Sequence, residues 1–218
     1  NMAGWSCSLP PAVRVVKSPS SAVYVTRAAS PTSPPSLATE AIPSGGVGYA
    51  VAQYWLPQPV PAFGTSISAW GLYARNAGDT QNNTAYVSVG VDTDGDGAVD
   101  REYIYYRNDG TATIVSAFIS PGTVVCQGTC QNTTQYIFRQ LGTMTSGYSY
   151  QWQISLSGPG AVLAVAMAAA DGGGSGGFKV YWDDLTVTYS ACPLPSGWSG
   201  KGYAWASYNY LLVTAGGV

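Results

Sequence analysis

The chain contains no histidine, and only Glu40 and Glu102 represent glutamate among its 218 residues. Without histidine it lacks the commonest general base and the commonest side-chain ligand for transition metals. Charge of either sign is scarce: Lys+Arg 9 against Asp+Glu 11 leave a formal net charge of -2. No basic run offers a footprint for phosphates, so nucleic acid is not an expected partner. Long apolar runs are missing too. No stretch approaches the roughly 18 apolar residues of a spanning helix, and no basic-then-apolar leader stands at the start, so the expectation is a mature, soluble chain with no membrane span. No serine, cysteine or lysine is marked out by a neighbouring base, and there is no glycine-rich phosphate loop. A glycosidase needs two carboxylates; Asp109, Asp171, Asp183 and Asp184 are available, but nothing in the sequence pairs them across a cleft. The expectation is therefore a protein that is not an enzyme.

What fills the composition instead is Tyr 16, Trp 7, Gly 27 and Pro 14, with many serines and threonines. That mixture suits pleated strands, tight turns and a polar, nearly uncharged surface. The hydrophobic period is two almost throughout. TSISAWGLYAR (65–75), TAYVSVGVD (84–92), REYIYYR (101–107), TATIVSAF (111–118), QYIFRQ (135–140), GYSYQWQISLS (147–157) and FKVYWDDLTVTYS (178–190) alternate or run apolar over strand lengths. NDG (108–110) predicts a tight hairpin between two of them. AVLAVAMAAAD (161–171) has helical propensity, yet SGPG before it and DGGGSGG after it bracket a strand-length run, so it is read as a buried strand. About nine strands over roughly 150 residues predict an all-β fold, a jelly-roll-like β-sandwich.

The ends look detached from this body. AVRVVK (12–17) and SAVYVTR (21–27) have strand composition but are followed by AASPTSPPSLATEAIPSGG (28–46), rich in Pro, Ser and Gly. A linker of that kind stays extended. The expected organisation is an N-terminal extended segment (1–30), a linker (31–46), a sandwich body (47–190) and a C-terminal strand extension (191–218). The competing reading makes both ends ordinary edge strands of the same fold.

Cys126 and Cys130 in CQGTC are close enough only for a local clip, which by elimination leaves Cys7 with Cys192, although four cysteines allow three connectivities. Disulfides imply an oxidising, extracellular or cell-surface location. The sequons at Asn82 and Asn132 fit an exported glycoprotein.

The densest motif is DTDGDGAVD (92–100), with four aspartates in nine positions. Asp92, Asp94 and Asp96 alternate, Gly97 permits a sharp turn, Ala98 offers a backbone carbonyl, and Asp100 closes the loop. This is the ligand spacing of a calcium loop. Four close carboxylates repel unless something neutralises them, so calcium is the expected cofactor, in a structural role. An EF-hand would carry Glu where this chain has Tyr103, and helices where it has strands; Glu102, Asp183 and Asp184 are candidates to complete the shell.

The stretch VYWDDLTVT resembles the closing strand of jelly-roll carbohydrate-binding modules, where an apolar strand carries a paired carboxylate. In its β-rich body, detached terminal strand, hydroxyl-rich surface and calcium loop, the whole chain resembles the subunits of archaeal cannulae and bundling pili. That resemblance implies an extracellular homopolymeric filament, assembled by donor-strand complementation. Residues 12–27 would leave their own domain and place Val13, Val15, Val23 and Val25 in the groove of a neighbouring copy. The alternative is a secreted, calcium-containing module that binds surface glycans, with Trp55, Trp70, Trp152, Trp182, Trp198 and Trp205 as the aromatic supply. Tryptophans on alternating strands are otherwise core.

Overall fold

The computed structural model describes residues 13–32, 34–79, 83–110, 134–173 and 175–189, together with the backbone of 210–211. The strands are β1 (Val13–Lys17), β2 (Ala22–Thr26), β3 (Ser36–Ala41), β4 (Gly48–Pro61), β5 (Ser66–Arg75), β6 (Asn83–Asp92), β7 (Arg101–Asn108), β8 (Gln135–Thr143), β9 (Ser149–Ser155), β10 (Ala161–Asp171), β11 (Phe178–Thr188) and β12 (Tyr210–Leu211). One sheet has the order β1-β4-β10-β6-β7-β8; the other has β2-β3-β11-β5-β9, with β12 beside β11. Neighbouring strands are antiparallel except β7 and β8, which are parallel. The fold is thus an all-β, jelly-roll-like sandwich. No helix among the described residues is long and apolar enough to cross a membrane.

In the first sheet the central strands β6 and β10 are buried along their whole length, on both faces. This is why AVLAVAMAAAD is a strand in spite of its alanines. It lies between β4 and β6, and small side chains suit a strand covered on both sides, so tertiary context overrides helix propensity. The second sheet keeps a solvent-facing side. In β5, Ile67, Ala69, Gly71 and Tyr73 point inward, while Ser66, Ser68, Trp70 and Leu72 face out. Between the sheets, Trp152 of β9 and Trp182 of β11 meet edge to face at 4.8 Å above Gly71 of the intervening strand. Tyr73 and Phe178 make a similar contact at 5.5 Å. The Trp152 indole donates to the carbonyl of Tyr105 across the sandwich (3.1 Å), and that of Trp182 to Thr39 (2.8 Å).

The structure corrects the expected organisation of the N-terminal part. Val13 and Val15 do not stand away from the body: β1 pairs with residues 50–54 of β4 in the same chain. Val23 and Val25 lie in β2, paired with β3, and pack against the inter-sheet core. The segment expected to serve a neighbour completes the outer edge of both sheets of its own sandwich, which is the edge-strand reading. Residues 31–46 are not a plain linker either, because SLATEA inside them forms β3, hydrogen-bonded between β2 and β11. The sequence reading also passed over β4. Its Pro57, Pro59 and Pro61 argue against a strand, but the β4–β10 register shifts between Val162 and Ala164, and β1 pairs only with residues 50–54. The prolines therefore occupy an irregular stretch with one free side, where a missing N–H costs little. TATIVSAF, the hairpin partner expected after NDG, lies outside the described residues.

A methyl group on Gly71 would meet Trp152 Cζ3 at 2.8 Å, and Trp182 Cζ3 and Val180 Cγ1 at 3.0 Å. Gly71→Ala is expected to cost about 1–3 kcal/mol by overpacking, read as a lower urea midpoint at unchanged slope. Gly46→Ala, whose methyl meets nothing within 4 Å, should stay within about 0.5 kcal/mol of the parent. Equal effects would refute the role given to Gly71.

Candidate functional site

The acidic loop connects β6 to β7 and is pinned at its base. The N–H of Asp100 donates to the carbonyl of Val91 (3.0 Å), Gln135 donates to the carbonyl of Asp100 (2.7 Å), and the Thr134 hydroxyl reaches the carbonyl of Val99 (2.9 Å). Val99 is fully buried. Inside the loop the buried Asp92 carboxylate accepts the N–H groups of Asp94 (3.2 Å), Gly95 (2.6 Å) and Gly97 (2.8 Å). Gly95 and Gly97 have φ of 84° and 87°, a region that side chains rarely enter. Asp94 accepts from Asp96 (3.1 Å), and Asp96 from Ala98 (2.7 Å). Asp100 Oδ2 takes both the N–H and the hydroxyl of Thr93, at 2.6 and 2.8 Å.

This folding brings one oxygen each of Asp92, Asp94 and Asp100 within 4.8 Å of one another. Asp96 is not in that group, nor is Glu102, which is fully buried in β7. Asp183 is not in that group either; it accepts the hydroxyls of Ser30 (2.7 Å) and Thr32 (2.6 Å). Asp184, at φ 51°, sits where the β5–β11 register shifts between Asp183 and Thr186; the extra residue is a bulge. Of the expected shell, then, three carboxylates converge. All are hard oxygen donors of the kind that holds calcium or magnesium. Cys7, Cys126, Cys130 and Cys192, the sequon residues Asn82 and Asn132, and Trp198 and Trp205 lie outside the described residues.

The outward side of the second sheet was not singled out by the sequence reading. Strand registers set Tyr181 of β11 beside Leu72, and Trp70 beside Gln151 of β9. These side chains are half-buried. Further along β5, starting two residues from Trp70 at Ser68, lies a cavity of about 290 Å3 whose polar lining is Ser66, Ser68, Gln153, Ser155 and Thr188. Further along the face, Lys179 is bound to Glu40 at 3.1 Å, and Tyr24 donates to the same carboxylate at 3.2 Å. Burial, and then Glu40, push the Tyr24 hydroxyl above its ordinary range, so it stays a neutral donor. The signal for this face was the alternation itself, S-x-S-x-W-x-L in β5 and Q-x-Q-x-S in β9. Of the tryptophans counted as aromatic supply, Trp152 and Trp182 are core, and Trp55 lies under Arg14 (5.4 Å) on the first sheet.

A second acidic group lies inside the sandwich at the other end of β6. Asp109 accepts from the Tyr73 hydroxyl and pairs with Arg75 at 3.0 Å. Asn83 Nδ2 donates to Tyr73 Oη (2.8 Å) and to Asp79 (2.7 Å). Burial, followed by the Asp109 hydrogen bond, raises the Tyr73 hydroxyl far above its usual range. Asp171 is buried nearby, and the N–H of Gly173 reaches its Oδ1 at 3.0 Å. Burial pushes the Asp171 carboxyl up to about 6, the Gly173 N–H works against the rise, and the charge of Asp79 adds to it.

No protein-family model and no curated protein matches this chain. Among solved structures it is similar to TmCBM61 in complex with beta-1,4-galactotriose, with 11% identity over 84% of this chain and 91% of that one (TM-score 0.47). It is similar to endoglucanase 3 of Trichoderma harzianum, family GH12, with 12% identity over 85% and 96% (TM-score 0.49). A family 11 carbohydrate-binding module from Clostridium thermocellum is also similar, with 10% identity over 87% and 91% (TM-score 0.43).

Proposed function

We propose that the chain is an extracellular β-sandwich that binds neutral glycans on the outward side of its second sheet and is stabilised by calcium in the β6–β7 loop. The observation that carries the glycan reading is the make-up of that face: it carries Trp70, Leu72 and Tyr181 and, further along β5 from Ser68, a cavity of about 290 Å3 with serines, a threonine and a glutamine in its lining. A sugar ring has an apolar C–H face that rests on an aromatic ring, and a rim of hydroxyls. Serine, threonine and glutamine side chains both donate and accept hydrogen bonds, matching that rim. The cavity is near the lower end of the roughly 300–1,000 Å3 of small-ligand sites. Of the charges along the face, Lys179 and Glu40 are bound to each other, and Asp183, opposite Trp70 in the register, is engaged by the hydroxyls of Ser30 and Thr32; charges already engaged within the chain favour an uncharged ligand. The four cysteines and two sequons support export. A homopolymeric filament would need β1 and β2 to leave the sheets they complete and pair with another copy; with both seated in their own chain, the glycan reading comes first.

Affinity electrophoresis against a panel of neutral polysaccharides tests this reading. The parent should be retarded by at least one of them, and Trp70→Ala or Gln153→Ala should weaken that retention about tenfold or more with the thermal midpoint unchanged. A parent that migrates freely through every gel overturns the proposal.

For the loop, removal of calcium by a chelator should lower the thermal midpoint, because a ligand held only by the folded state stabilises it by about 2.7 kcal/mol at 100 times its Kd. Asp94→Ala with Asp96→Ala should abolish the part of the shift that belongs to the loop. Gly97→Ala should weaken calcium binding while adding roughly 1–2 kcal/mol of backbone strain at φ 87°. A double variant that responds to calcium as the parent does would make the loop a bare turn.

A further inference from the structure

We propose that the sandwich holds a second hard divalent cation at the end of β6 opposite the acidic loop, with Asp171 Oδ2 and Asn83 Oδ1 as its protein ligands. Asn83 and Asp171 stand directly opposite each other in the β6–β10 register. Asn83 shares its side of β6 with Ala85 and Val87, and Asp171 its side of β10 with Met167 and Ala169, all of the inter-sheet core. Opposed residues of an antiparallel pair have Cβ atoms about 4.5–5.5 Å apart. Both residues are essentially inaccessible, at 0% and 1% exposure, and Asn83 Oδ1 and Asp171 Oδ2 have no hydrogen-bond partner. A buried oxygen left unpaired costs free energy that native structures rarely tolerate. Two such atoms on adjacent strands point to a shared ligand that bonds to oxygen lone pairs.

The hydrogen bonds orient the amide. Asn83 Nδ2 is taken by Tyr73 and Asp79, and Tyr73 in turn holds Asp109 just beyond β7. With both donors of the amide nitrogen engaged, Oδ1 is the atom of Asn83 left to meet a ligand. Charge favours a cation over a donor group. Asp79, Asp109 and Asp171 contribute three negative charges against the single positive charge of Arg75, which reaches Asp109 at 3.0 Å and Asp79 at 3.9 Å. The difference of two is what one divalent ion neutralises, and a buried acidic group left uncompensated is costly. With only oxygen donors at hand, the ion is of the calcium or magnesium type. The three carboxylates do not converge as those of the loop do, so water and the carbonyls of Gly172 and Gly173 would fill the rest of the shell.

Equilibrium dialysis of the full chain with radioactive calcium tests the site. The parent should hold two ions per chain, Asp94→Ala with Asp96→Ala one, and Asp171→Asn one. Since Asp171→Asn removes a buried carboxylate, it should remain folded in chelator, with a midpoint at or above that of the parent. Asn83→Ala, which deletes the second ligand, should lose the same ion. If Asp171→Asn and Asn83→Ala both keep the parental stoichiometry, Asp171 is simply a protonated buried acid and the proposal is overturned. Loss of one ion from Asp171→Asn but none from the loop variant would uphold this site and remove the loop one.

Discussion

Two tryptophans meet edge to face above a glycine, and much of the second sheet follows from that contact. Trp182 and Trp152 belong to the strands on either side of β5, and they come within 4.8 Å of each other because Gly71 and Ala69 offer almost no side chain between them. Each indole N–H then finds an acceptor on a different strand, Thr39 of β3 and the carbonyl of Tyr105 in β7. The pair therefore ties together three strands of its own sheet, reaches a fourth, and crosses to the facing sheet. Arg107 completes the arrangement at the sandwich edge, with its guanidinium 5.0 Å from the Tyr150 ring centre and 5.5 Å from that of Trp152. Burial lowers the proton affinity of that guanidinium, and contact with the aromatic faces offsets part of the desolvation.

The same contact fixes which side of β5 faces solvent. Ranked by bulk, Trp70 and Leu72 would go inward and Ala69 and Gly71 outward. Because the space above Ala69 and Gly71 is filled from the flanking strands, the small residues face the core and the large ones face out. A period-two pattern gives the strand but not its parity when both sides carry apolar residues. This is why β5, β9 and β11 were legible in the sequence while the outward face they share, with Trp70, Tyr181 and the serines, was not.

Legibility elsewhere followed how local the determinants are. The acidic loop was readable because its geometry is written in nine consecutive residues, Asx contacts from Asp92, Asp94 and Asp96 combining with two positive-φ glycines. Asp96 departs from the expected ligand set because spacing says which side chains are near, not which oxygens converge. β3 read as linker because prolines and serines flank it, and β4 was passed over within the body because of its prolines, until long-range pairing with β11 and β10 is known. The N-terminal strands had recognisable composition, but nothing in a sequence states whose sheet an edge strand completes.

The β6–β10 ladder joins these features. Its ten-residue strand β6 is buried throughout, so backbone amides and apolar side chains satisfy its middle. At one end Ala161 faces Asp92, the root of the acidic loop; at the other Asp171 faces Asn83. At about 3.4 Å per residue these ends are about 30 Å apart, well beyond the screening length of roughly 8–10 Å in physiological salt. No single cation can serve both ends, and the cations among the described residues near either end are few, with Arg75 already shared between Asp79 and Asp109. In a chain with so little positive charge, the acidic clusters at the two ends of its most buried strand pair are what the two proposed metal ions would balance.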